Sequence, residues 1–129
     1  MATGFPFSTG DVLSSTAMNG LTAFTIGTTN TDDYTAVLAD QYQTLEIMNK
    51  ATAIAFKIPT NASVAFPIGT VITILNINSG LCTISAVTSG TTTVLSAGAV
   101  AAQPTLAQYK TAACIKTGTD TWYVVGAIA

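Results

Sequence analysis

The chain has 129 residues, of which 49% are apolar and only 8% charged, with a net charge of −2; globular chains carry about 25% charged residues. Its four cationic side chains are all lysines, too few to neutralise phosphates along one face, so nucleic-acid binding is excluded. Histidine is absent, which removes the commonest general base and every triad built on it.

The length fits one domain with a core of its own. Residues 1–30 read as an N-terminal arm. Phe5-Pro6-Phe7 cannot pair regularly because Pro6 lacks an N–H. Ser14 to Gly20 predicts one or two helical turns, with Ser14 or Ser15 as N-cap and Gly20 at the stop, too short to stand alone. An aromatic arm with a short helix is expected to dock on something else, and Phe5, Pro6, Phe7, Val12, Leu13, Met18 and Leu21 are its candidate contacts. The other reading is a terminus that is disordered or packs on its own domain. The first residues lack a basic segment and a long apolar run, so no secretion signal is expected and folding is expected in a cytoplasm. No window approaches 18 consecutive apolar residues, so no transmembrane helix and no membrane partner are predicted.

Residues 31–129 read as a β domain. Thr fills 24 positions, and with Val, Ile and the aromatics it favours strand. Turn signals recur at Gly27 to Asp33, Asn49-Lys50, Thr60-Asn61, Pro67 to Gly69, Asn78 to Gly80, Ser89-Gly90, Gly98, Pro104 and Gly118 to Asp120. Between them strands are predicted near 34–38, 44–49, 52–58, 71–77, 81–87, 92–97, 106–117 and 121–128. The last two form the clearest hairpin. Val71 to Ile77 is apolar at both parities, as in a strand packed on two sides. No repeat of solenoid period is found. The pattern predicts a mainly β fold, a compact antiparallel sandwich or barrel preceded by the arm.

From Ile58 to Tyr109 there is no Asp, Glu, Lys or Arg. A stretch that long cannot avoid the surface, so its exposed part is either hydroxyl-rich and neutral or covered by a partner, and partner burial is the favoured expectation.

Catalytic equipment is missing. Asp11, Asp32, Asp33, Asp40, Glu46 and Asp120 fall mostly at predicted turns or edges, where solvation accounts for them. Asp32-Asp33 could contribute to a calcium site, but no EF-hand spacing supports one. No S-x-x-K and no phosphate-cradling glycine loop is present. Neither a cofactor nor a metal is expected. Cys82 and Cys114 match no zinc spacing and read as small buried apolar residues. Trp122 and Tyr123 must point to opposite faces of the last strand; either ring, or Tyr109, could stack on a sugar, with core packing the favoured reading. Asn61-Ala62-Ser63 fits a glycosylation sequon that is incidental without secretion.

Tyr34 to Asp40, Pro59 to Thr70 leading into Val71-Ile-Thr-Ile74, and Ile115 to Gly126 resemble a family of bacteriophage structural domains found in tail fibres, head fibres and capsid decoration proteins. The likeness covers Tyr34 to the end. Phe7 to Leu13 with Ala17-Met-Asn19 is similar to segments near the start of other phage fibre-like proteins. The resemblance implies a compact β domain, assembled as a homotrimer on the virion, with no catalytic residues to carry over. A chain without a shaft, heptads or repeats suits a capsid decoration or cement protein whose arm holds the major capsid protein or another virion protein. The alternative is a tail-fibre or receptor-binding module that reads host glycan through Tyr109, Trp122 or Tyr123.

Overall fold

A computed structural model describes residues 24–42, 44–96 and 103–128. The strands are β1 (Thr25–Asn30), β2 (Tyr34–Thr35), β3 (Thr44–Met48), β4 (Ile54–Ile58), β5 (Val71–Asn76), β6 (Cys82–Ala86), β7 (Thr93–Ser96), β8 (Thr105–Leu106), β9 (Lys110–Gly118) and β10 (Thr121–Gly126). A short 3₁₀ turn, Leu38–Gln41, follows β2. The strands form two sheets, a six-stranded one in the order β1-β3-β5-β9-β10-β7 and a four-stranded one in the order β2-β4-β6-β8.

The mainly β expectation holds, but the antiparallel one needs correction. β1, β3 and β5 run parallel in the large sheet, and β2, β4 and β6 run parallel in the small one. Three successive passes therefore wind from one sheet to the other and back. Parallel neighbours need a crossover of a dozen or more residues, and here a strand of the opposite sheet serves as that crossover. The antiparallel part is the closure: β9 pairs with β5 and β10, and β8 with β6. Turn spacing and alternation do not separate this winding from a meander, because both use short strands and polar connections.

The winding also lacks a fixed period. Leu45 lies opposite Thr73, and Ile54 opposite Cys82, at the same offset. The first pass is shorter, with Ile26 opposite Leu45 and a bulge before Thr29.

Other boundaries shift for identifiable reasons. The strand expected over 34–38 ends at Thr35, because Asp40 draws the chain into the 3₁₀ turn by accepting from the Val37 N–H at 3.0 Å. The strand expected over 106–117 is broken. Tyr109, at φ 63°, turns the chain between β8 and β9. Gly27, read as the start of a turn, lies within β1, which pairs with the main sheet although the expected arm reached residue 30. The hairpin across Gly118 to Asp120 forms as predicted. The helix expected at Ser14 to Gly20 lies outside the described residues.

Inward residues of both sheets meet in one core that includes Met48, Phe56, Ile58, Ile74, Ile84, Leu106, Trp122 and Val124. Phe66 packs edge-on to Trp122, with ring centroids 5.5 Å apart, a favoured aromatic geometry. Cys82 and Cys114 are buried free thiols that line the core, as expected. Burial raises both, Cys82 to about 11, which leaves them protonated and unreactive at neutral pH.

Candidate functional site

The two sheets differ on their outer faces. Burial alternates along β3, where Thr44, Glu46 and Met48 point inward, so Leu45 and Ile47 point outward. Register then assembles the outer face of the large sheet in three cross-strand rows. One runs Ile26, Leu45, Thr73, Ala113, Val125. The next runs Thr29, Ile47, Leu75, Thr111. The third runs Val71, Ile115, Tyr123, Leu95. None of these residues carries a charge. Ile26, Val71, Tyr123 and Val125 are openly exposed.

The outer rows of the small sheet read Thr35, Lys57, Ser85 and Ala55, Thr83, Thr105. That face is mostly hydroxyl and carries an ammonium. Asp33 accepts from the Ala55 N–H at 2.9 Å and ion-pairs with Lys57 at 3.6 Å, and the neighbouring Asp32 pairs with Lys50 at 2.9 Å. Both carboxylates of the Asp32-Asp33 pair are thus engaged by lysines. Among the described residues no three His, Cys, Asp or Glu converge on a common point.

Among the described residues, β5, apolar at both parities, turns one side to the core and the other outward. Ile72, Ile74 and Asn76 face the core, while Val71, Thr73 and Leu75 belong to the outer face. Asn76 is accommodated inside because its Nδ2 donates to the carbonyls of Gly80 and Leu106, both at 2.8 Å.

The candidate aromatics separate. Trp122 is 1% exposed and belongs to the core, which removes it from the sugar-contact set, whereas Tyr123 is 44% and Tyr109 76% exposed. Tyr123 lies opposite Ile115, and at about 3.3 Å per residue Tyr109 is on the order of 20 Å further along the chain. The two rings share no platform. Phe5, Pro6, Phe7, Val12, Leu13, Met18 and Leu21 lie outside the described residues.

Two buried polar clusters were not anticipated. The acids Asp40 and Glu46, read as solvated, are buried. The Tyr34 hydroxyl donates to Asp40 Oδ2 at 2.7 Å. Burial and the Asp40 carboxylate raise Glu46 to about 6, and burial together with the Asp40 and Glu46 carboxylates raises the Tyr34 phenol. The available signal was parity, since Glu46 alternates with Thr44 and Met48. The second cluster centres on Lys116, inward on β9 in step with Ala112 and Cys114. Its Nζ donates to Asn61 Oδ1 at 2.6 Å and to the Phe66 carbonyl at 2.7 Å.

No family model, curated protein or solved structure matches the chain.

Proposed function

We propose that this chain is a non-enzymatic structural protein of a bacteriophage particle, a capsid decoration or cement protein that assembles as a homotrimer and stabilises the head. The observation that carries the reading is the asymmetry of the two outer faces: one sheet presents hydroxyls and Lys57, the other an uncharged, largely apolar surface six strands wide. Solitary soluble domains spread charge over their surface, and contiguous apolar patches mark interaction sites. A second copy suits this face because an uncharged surface meets itself without like-charge repulsion.

Strand spacings of about 4.8 Å and rises of about 3.3 Å per residue give the face roughly 400 Å² in projection. A stable interface takes about 800 Å² of accessible surface from each partner. The sheet face therefore supplies a large part of one contact, and the residues from Phe5 to Leu21 are assigned to holding the shell. Adhesion arises from apolar burial at about 25 cal/mol per Å², multiplied by threefold avidity.

Sedimentation of the purified protein, followed by mixing with particles that lack it, tests the proposal. A trimer that binds heads and raises their resistance to heat is the expected outcome. A protein that stays monomeric at high concentration and leaves heads unbound overturns it.

A second reading, a receptor-binding module for host glycan, is favoured by one observation. Tyr109 holds an exposed ring on a turn of left-handed backbone, and strained exposed positions recur at binding sites. A glycan array probed with the purified protein tests it, with loss of the signal in Tyr109→Ala as the expected outcome and an array without hits as the contrary one.

A further inference from the structure

Lys116 is 2% exposed. Its amine sits in a wall of the core, and among the described residues it forms no ion pair. Nζ donates to Asn61 Oδ1 at 2.6 Å and to the Phe66 carbonyl at 2.7 Å. With an amide C=O of about 1.23 Å, Nζ lies no more than about 3.8 Å from Asn61 Cγ. Reacting atoms in near-attack geometry stand about 3–3.5 Å apart. A small rotation of either side chain separates a hydrogen bond from an attack.

Three surrounding features favour the attack. The two acceptors match the two N–H groups of a neutral amine and leave its lone pair free, and burial pushes Lys116 toward that neutral form, with Asp120 opposing. The Asp120 carboxyl is anchored at the main chain of Asn61: its Oδ1 accepts from the Asn61 backbone N–H at 2.8 Å and from the Thr92 hydroxyl at 3.1 Å. Trp122 lies opposite Lys116 in the β9–β10 register, on the same face, and Phe66 packs against it. This apolar wall limits access of competing water.

We propose that Lys116 and Asn61 are the partners of an intramolecular isopeptide cross-link. The Nζ lone pair forms a bond to Asn61 Cγ, the Cγ–Nδ2 bond breaks, and one amine proton passes through the Asp120 carboxyl to the departing nitrogen. The products are a secondary amide and ammonia. No oxidant, metal or co-reactant enters the balance. The bond ties the segment between β4 and β5 covalently to β9, a brace suited to a protein that must hold its shape under load.

The mass of the intact, denatured full chain tests the proposal together with a peptide map. The expected result is a chain lighter by one ammonia, with proteolysis releasing a branched peptide that contains both Asn61 and Lys116. Lys116→Met and Asn61→Ala are expected at the full mass of their sequences, and Asp120→Asn is expected to lose most of the cross-linked fraction. Wild-type protein at its full sequence mass, with Asn61 and Lys116 in separate peptides, overturns the proposal. So does an ammonia loss mapped to any other residue. Asp120→Asn that still cross-links fully overturns the assignment of Asp120 as proton carrier. Because the wild type alone decides the main point, a variant that fails to fold does not blur the result.

Discussion

Glu46 occupies an inward position on β3, where its Oε2 meets no hydrogen-bond partner among the described residues. A buried carboxylate beside a second one is costly, and the proton that relieves the cost can also bridge to Asp40. The folded value, about 6, lies above the ordinary 4.5. An acid raised in this way binds its proton more tightly when folded. Its protonation therefore supports folding at low pH, and that support is lost as the pH rises from about 4.5 through 6. The difference is worth about 2 kcal/mol at 1.36 kcal/mol per pH unit. Glu46→Gln, a neutral isostere that still donates, is expected to be more stable than the wild type at pH 7.5 by about that amount and nearly equal to it at pH 4. Urea midpoints measured at the two values check this, and equal midpoints at pH 7.5 would contradict the assignment.

Tyr109 makes the opposite case, an exposed residue under backbone strain. A side chain at φ 63° costs roughly 1–2 kcal/mol, which glycine does not incur. The ring is exposed, so little packing is lost on its removal. Tyr109→Gly is expected to raise the thermal midpoint, with a gain of about 1 kcal/mol after the entropy of the freer unfolded chain is subtracted. Calorimetry decides. A lower midpoint would mean that the ring makes contacts its exposure conceals.

At the scale of elements, glycine explains both what the chain showed openly and what it hid. Gly27 reads as a turn residue, yet it lies in β1 because the Glu46 carboxyl fills the space its side chain would need, a use of strand glycine that follows from close approach rather than from turning. The clue was in a residue nineteen positions on, which local pattern cannot supply. Gly80, in contrast, reads correctly as a turn, and its N–H donates to the Lys50 carbonyl at 3.0 Å. A Cβ there would strike the main-chain carbonyls of Thr52 and Lys50. Backbone cannot swing aside as a side chain can, so Gly80→Ala is expected to cost about 2–3 kcal/mol, read as a fall in the urea midpoint without loss of strand signal in circular dichroism. The β9–β10 hairpin was legible because its turn and both strands are contiguous in sequence. The parallel winding was not, because Leu45 and Thr73 become neighbours only after a full pass through the other sheet. The apolar face was half visible: β5 shows Val71, Thr73 and Leu75 plainly, but parity does not say whether a second apolar side is covered by the same chain. Lys116 was hidden for a related reason, since its partner Asn61 belongs to a segment that looked like an ordinary turn.

At the scale of the molecule, the proposed assembly draws on the contrast between two faces of one fold, and the contrast supplies its own control. Ile115 sits on a central strand of the uncharged face, opposite Val71 and Tyr123. Thr83 sits in the middle of the hydroxyl face, opposite Ala55 and Thr105. Both side chains point away from the core, so a lysine at either position can extend its stem over the surface and keep its ammonium in water. Folding is expected to change by less than about 0.5 kcal/mol in each case, as for surface substitutions generally. Association should divide them. In a trimer contact formed by the large sheet, Ile115→Lys places an unpaired ammonium group from each copy in a desolvated interface, where such a charge costs several kcal/mol. Sedimentation equilibrium is expected to show monomers for Ile115→Lys and unchanged trimers for Thr83→Lys. Dissociation by Thr83→Lys with no effect of Ile115→Lys would move the interface to the small sheet, and with it the account of why one face of this protein carries no charge.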